Sequence, residues 1–280
     1  HSDFAAAVPV AQMINKNVSG PELDAWGLKM NNITKKYKQL TGKNLGVSQI
    51  FMHDNKYLDT YYKVPYAYAG APSHFNTDAS NFTLQYAFNN NAVEHGDIHE
   101  VAHTYNTDYN RVWNFNDDVF CNVRAAYAVV ENNTRVVCLG LEETYNDPYQ
   151  GMEYLQRFAD SWSEYKSSAY MKSRGYDLFS MCHVYLRMVY GDASQGLAPL
   201  GWDVFTEFFT NGANYNPTNK IYLDPYKNYS DDFKVFTNSL NIIAEIAGKS
   251  PQEIANYVPD NFYWNWYGDP INYPFKDWRY

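Results

Sequence analysis

The sequence predicts an α+β fold, with a strand-containing amino-terminal part packed on a mainly helical carboxy-terminal part. Residues 57–88 alternate aromatic and polar side chains around a turn at 69–72, which is typical of strands. From about residue 94 onward, long segments instead repeat apolar residues at helical spacing. We therefore expect a single domain of 280 residues, with a strand-richer lobe over about 1–93 and a helical lobe over about 94–280.

Eight helices and one further strand are predicted along the chain. Residues 20–43 predict an amphipathic helix with an acidic start and a lysine-rich end. A short apolar run at 47–52 predicts a strand. Seven further helices are predicted at 94–106, 117–131, 151–171, 176–190, 201–210, 231–247 and 251–257.

Composition and charge exclude two classes of function. The chain has 22 basic and 31 acidic residues, a net charge of −9, and no run of Lys or Arg. This charge excludes a protein that follows nucleic-acid phosphates. No apolar stretch approaches the roughly 18 residues that a membrane-spanning helix needs. We therefore expect neither a nucleic-acid partner nor a membrane span.

Glycosylation sequons favour an extracellular protein, although an Asn-rich chain also produces them by chance. The chain begins at His1 rather than Met, which favours a processed or trimmed start. Three cysteines are too few for a disulfide scaffold. Cys121 and Cys182 lie in apolar helical stretches, which predicts buried free thiols. The five sequons begin at Asn17, Asn32, Asn81, Asn132 and Asn228.

Aromatic residues are unusually abundant, with 27 Tyr, 16 Phe and 7 Trp. Tyr and Trp combine an apolar face with a polar tip, which suits wet concave surfaces and sugar rings. The alternative, which we favour, is that most of them fill the core.

The sharpest motif is His99-Glu100-Val101-Ala102-His103, with the pattern H-E-x-x-H. Residues four apart on a helix differ by about 40° around its axis, so both imidazoles can share one zinc ion. Glu100 can take a proton from a zinc-bound water as that water attacks a peptide carbonyl, and can then pass it to the leaving amine. Roughly 0.007 such matches are expected by chance at this composition, which favours a metal site over two unrelated surface histidines.

A catalytic zinc takes three protein ligands and keeps one open position, so one more ligand is expected. Asp118 lies 15 residues after His103, near the start of the predicted helix at 117–131. Asp117 is the competing carboxylate, because one of the two is expected to cap that helix. The residues alone leave both candidates open.

Two blocks of sequence resemble a known family. Residues 96–106 contain Gly-x-x-His-Glu-x-Ala-His, and residues 118–122 read Asp-Val-Phe-Cys-Asn after an upstream Trp113. They resemble the Gly-x-x-His-Glu-x-Gly-His and Glu-Val-Thr-x-Asn blocks of the M60-like (enhancin-type) metallopeptidases, a gluzincin group. Weaker likenesses lie at 66–72, 201–205 and 243–249. A plant and bacterial secretory peptidase group with a similar motif is a second candidate relative.

The resemblance implies a secreted peptidase that binds one Zn²⁺ per chain and acts on mucins or other glycoproteins. It also implies a zincin-like fold with the active-site helix in a cleft, and it favours Asp118 over Asp117 as the third ligand. The chain departs from the family at two positions. Asp118 stands where the family has Glu, so it must approach more closely or bind zinc more weakly. Ala102 stands where the family has Gly.

Two further side chains are candidates for supporting the chemistry. Asn122, one turn after Asp118, can orient a ligand through a hydrogen bond, or can be an ordinary buried Asn. His183 shares a helical face with Arg187 and can donate to a transition-state oxyanion, or can only stabilise its helix.

His95 lies one turn before His99 on the predicted helix. It can support a ligand or serve as an alternative ligand. The neighbouring Gly96 instead favours a cap or loop position for it.

We therefore expect a secreted zinc-dependent metallopeptidase that hydrolyses peptide bonds in proteins, with glycoproteins or mucins as its partners. The alternative is a glycan- or protein-binding domain that keeps the metallopeptidase fold with weak or lost catalysis. Asp at position 118 supports the alternative. Glu100 argues against it, because binding alone does not need this residue.

Overall fold

A computed structural model describes most of the chain, and it combines helices with two small sheets. The predicted α+β class is confirmed. Among the described residues, no helix is long and apolar enough to cross a membrane. The described residues are 1–8, 13–14, 17–53, 67–68, 73–76, 87–106, 117–137, 148–167, 178–223, 225–226, 229 and 231–259.

Each of the eight predicted helices has a counterpart in the structure. The α-helices are α1 (Gly20–Thr41), α2 (His95–His103), α3 (Asp117–Asn132), α4 (Tyr154–Ser167), α5 (Leu178–Tyr190), α6 (Trp202–Asn211), α7 (Asp231–Ile246) and α8 (Pro251–Ala255). The strands are β1 (Phe4–Ala7), β2 (Ser48–His53), β3 (Ala67–Tyr68), β4 (Ser73–Asn76), β5 (Val93–Glu94), β6 (Arg135–Val137) and β7 (Tyr149–Gln150).

The chain divides into two compact units, each made of several segments. All seven described strands belong to the first unit, and the regular elements described in the second are helical. The division differs from the predicted boundary near residue 93, because β6 and β7 lie beyond it and form a sheet with β5. The first unit is His1–Gln39, Lys43–Tyr105 and Arg124–Tyr154; the second is Leu40–Gly42, Asn106–Val123 and Leu155–Tyr280.

The first unit holds two sheets. The four-stranded sheet has the order β1-β2-β4-β3, in which β1, β2 and β4 are parallel and β3 is antiparallel to β4. Ile50 and Met52 of β2 are buried while Phe51 between them is exposed, as the two-residue period of a strand requires. In the other sheet β5 is parallel to β6, and β7 is antiparallel to β6. Strand β5 leads directly into α2.

Helix α1 supplies much of the first unit's core through one apolar stripe. The ring of Phe4 meets the Trp26 ring edge-on, with centroids 5.5 Å apart. The buried Tyr37 hydroxyl donates to the Ile98 carbonyl oxygen at 2.8 Å and so ties α1 to α2. The buried residues of the stripe within this unit, at helical spacing, are Trp26, Met30, Ile33 and Tyr37.

Aromatic side chains fill the core of the second unit. The Phe120 ring lies 5.0 Å from the Tyr185 ring and 5.7 Å from the Phe208 ring, measured between centroids. The buried Tyr185 hydroxyl is paired with the Ser239 hydroxyl at 3.0 Å. Many of the aromatic residues are therefore core residues, as favoured above. Two of the three cysteines, Cys121 and Cys182, are buried and free, as predicted.

Two of the sequons differ sharply in exposure, which predicts different glycosylation. Asn17 is exposed in a turn, whereas the side-chain nitrogen of Asn132 is buried at the end of α3. A glycan on that nitrogen would prevent α3 from packing. We expect the full chain, passed through a eukaryotic secretory pathway, to carry a glycan at Asn17 and none at Asn132. Mass spectrometry of peptides after enzymatic deglycosylation measures this, and a glycan at Asn132 would contradict it.

Candidate metal centre

The candidate site begins at the junction between β5 and α2. Glu94 has an extended backbone and caps the helix, because its carboxylate accepts a hydrogen bond from the Asp97 N–H at 3.0 Å. A Cβ atom on Gly96 would lie 2.6 Å from Oε2 of Glu94, so glycine makes room for this cap. His95 is the first residue of the helix, not the cap or loop residue that Gly96 suggested.

One face of α2 is packed into the core of the first unit. Ile98, Val101 and Ala102 are buried, so the Ala methyl fits where the family pattern has Gly. The buried Ser73 of β4 donates its hydroxyl to the Glu100 carbonyl oxygen at 3.5 Å. These contacts hold the helix at fixed rotation about its axis.

The structure brings together the three motif residues, His99, Glu100 and His103. Nε2 of His99 lies 3.1 Å from Nε2 of His103. Two nitrogens bound to one tetrahedral zinc at about 2.0–2.1 Å lie about 3.3 Å apart, so the two rings fit a shared zinc ion. A carboxylate oxygen of Glu100 and the two nitrogens all lie within 4.8 Å of one another. Imidazole nitrogen and carboxylate oxygen are donors that zinc prefers.

The third-ligand candidates lie in the first turn of α3, and this turn belongs to the second unit, whereas α3 from Arg124 onward belongs to the first. The side chain of Asp118 is half-buried. Asp117 accepts a hydrogen bond from the Cys121 thiol, with 3.6 Å between sulfur and oxygen. The assignment of Asp118 as the third ligand stays a prediction.

The other sequence candidates lie in the helices of the second unit. Asn122 is completely buried in α3, and His183 is half-buried in α5. Arg187 donates to the Asp192 carboxylate at 2.8 Å and to the Tyr257 carbonyl oxygen at 2.7 Å, so it stabilises the end of α5. The supporting roles of Asn122 and His183 stay predictions.

Two buried carboxyl groups surround the start of α2. Burial raises the pKa of Glu94 to about 7, although hydrogen bonds from the N–H groups of Asp97 and Gly96 oppose this rise. Burial, together with the nearby charges of Glu94 and Glu100, raises the pKa of Asp97 well above its usual range. Sequence reasoning missed Glu94 as the residue that caps this helix. Glu is not among the usual capping residues, so its residue type gave no signal. The one indication was its position at the start of the predicted helix, from which a side chain can accept from the N–H three residues later.

Tyr154 is a second residue that sequence reasoning missed. Its hydroxyl lies 2.5 Å from Nδ1 of His95, and its side chain is completely buried. The two residues are 59 positions apart, so no local pattern connects them.

No protein-family model matches this chain, and no curated protein matches it. The geometry of α2 is therefore the main support for a function.

The raised pKa of Glu94 predicts how the stability of the metal-free protein depends on pH. The usual pKa is 4.5 and the folded-state pKa is about 7, so the folded protein holds this proton more tightly than the unfolded chain. The resulting stabilisation is fully present below about pH 4.5 and is lost as the pH rises through about 7. At about 1.4 kcal/mol for each unit of pKa, the loss is at most about 3 kcal/mol.

Urea unfolding of the metal-free protein at pH 5 and pH 8 measures this loss. In Glu94→Gln the difference between the two pH values should shrink, because the amide does not titrate. The exposed Glu245→Gln should keep the wild-type difference. An unchanged difference in Glu94→Gln would show that another group causes it.

Proposed function

We propose that this chain is a secreted zinc-dependent metallopeptidase that hydrolyses peptide bonds in proteins, with glycoproteins or mucins as substrates. The observation that carries the proposal is the 3.1 Å separation of the two Nε2 atoms of His99 and His103, with the Glu100 carboxylate beside them. Secretion, the glycoprotein substrate and the zincin-like cleft come from the sequons and the family resemblance.

The residues of α2 have separate roles in this proposal. His99 and His103 hold the zinc ion, and Asp118 is proposed as its third ligand. Zinc, when bound, acts as a Lewis acid on the scissile carbonyl and lowers the pKa of water. Glu100 accepts a proton from the attacking water and donates it to the leaving amine. The anchored face of α2 keeps these side chains in register, so little reorientation is needed during the reaction.

Replacing Glu100 with Gln tests the proposed mechanism. Glu100→Gln keeps the shape of the side chain but cannot accept the proton. We expect about one zinc ion per chain in both wild type and variant, by plasma mass spectrometry. Peptidase activity should fall by about 10²–10⁴-fold in the variant. Glu245→Gln, an exposed change on α7, serves as the matched control and should keep full activity.

The substrates for this test are a mucin-type glycoprotein, the same protein after deglycosylation, and an unglycosylated unfolded protein. Cleavage that survives Glu100→Gln would refute the mechanism. Zinc binding without cleavage of any substrate by the wild type would favour the glycan- or protein-binding domain. A wild type that binds no zinc would refute the metal centre.

The third ligand is tested by two neighbouring substitutions. We expect Asp118→Ala to raise the dissociation constant for zinc by more than about 100-fold, because a lost ligand is a lost coordinate bond. Asp117→Ala removes the acceptor of the Cys121 thiol and should leave zinc affinity within about threefold of wild type. Competition with a chelating dye measures both. The reverse result would assign the third ligand to Asp117.

A further inference from the structure

The imidazole of His99 lies between two other imidazoles on α2. His95, His99 and His103 occupy positions four residues apart on one helix. The ring centroids of His95 and His99 are 5.8 Å apart, and those of His99 and His103 are 4.8 Å apart. His95 is not one of the residues whose ligand atoms cluster with those of His99 and His103 in the described part of the chain. Its ring therefore lies beside the ring of His99 without joining the group of His99, Glu100 and His103.

Tyr154 holds the ring of His95. The tyrosine hydroxyl and Nδ1 of His95 are 2.5 Å apart, and the two ring centroids are 6.0 Å apart. Tyr154 is completely buried, so its ring has few alternative positions.

The backbone around this pair is fixed by the smaller sheet. His95 directly follows the end of β5, and Tyr154 follows β7 after a single turn of 3-10 helix at Gly151–Glu153. Strands β5 and β7 pair with opposite edges of β6. A capping box between Gln150 and Glu153 closes the turn. The pairing of these strands thus brings the side chains of His95 and Tyr154 close together.

We propose that Tyr154 and His95 are positioning residues for the metal ligand His99. The Tyr154 hydroxyl fixes the His95 ring, and that ring limits rotation of the His99 imidazole so that Nε2 stays directed at His103. A ligand that is already oriented loses less conformational freedom when the metal binds. This inference rests on the proposed function, because it requires His99 to be a zinc ligand.

Zinc affinity tests the proposal through Tyr154→Phe, which keeps the buried ring and removes only the hydroxyl. We expect its zinc dissociation constant to rise about 3–10-fold, and that of His95→Gln, which also removes the ring, about 10–100-fold. The matched control is Tyr37→Phe. It removes another buried tyrosine hydroxyl that bonds to α2, in this case at the Ile98 carbonyl oxygen. It should lower thermal stability while zinc affinity stays within twofold of wild type.

Two measurements separate positioning from a general loss of structure. Substitution with Co²⁺ reports ligand geometry by visible absorption, and the spectrum should change in Tyr154→Phe but not in Tyr37→Phe. In the metal-free protein, nuclear Overhauser contacts between the His95 and His99 rings should be present in wild type and weakened in Tyr154→Phe.

Each outcome decides one claim. Unchanged zinc affinity in both Tyr154→Phe and His95→Gln would overturn the positioning role, and so would an equal loss of affinity in Tyr37→Phe. Ring contacts that persist unchanged in Tyr154→Phe would also overturn it. A wild type that binds no zinc would instead refute the proposed function, while the metal-free ring contacts would still show whether Tyr154 holds His95 against His99.

Discussion

The junction between β5 and α2 is the constraint on which the candidate site depends. Glu94 ends the strand and caps the helix, and Gly96 leaves the space that the Glu94 carboxylate occupies. Once the first turn is fixed, the helical rotation of about 100° per residue fixes the direction of every later side chain. The four-residue spacing puts His99 and His103 on one face of the helix, and the junction sets the direction in which that face points. The junction therefore orients the two histidines in the metal-free protein.

The cost of this arrangement is the burial of two carboxyl groups near the helix start. Burial raises the pKa of both Glu94 and Asp97, which means that their charged forms are disfavoured in the folded protein. Packing on the other side of α2 offsets that cost. Complete burial of a side chain such as Ile98 or Val101 contributes roughly 1.5–3 kcal/mol. The helix is thus anchored by its apolar face, while its other face presents the three histidines.

Sequence alone predicted the features that depend on neighbouring residues. The bounds of α1 and α3, and the shared face of His99 and His103, follow from helical periodicity over a few turns. Strands β5, β6 and β7 were missed because two or three residues are too short to show a two-residue alternation. Tyr154 could not have been found, because its contact with His95 depends on how these strands pair.

The chain departs from the metallopeptidase pattern that it resembles at two positions, Ala102 and Asp118. The effect of the first depends on its local surroundings, and the effect of the second depends on where another helix lies. Ala102 is a local change, and the structure accommodates its methyl group while Ala favours a helix over Gly by about 1 kcal/mol. Asp118 is a non-local change, because a side chain one methylene shorter can bind zinc only if the backbone of α3 is close enough. The H-E-x-x-H helix therefore forms whether or not the centre is catalytic. Zinc affinity measures whether a third ligand completes the centre, and substrate cleavage is the property that separates a peptidase from a binding domain with the same helix.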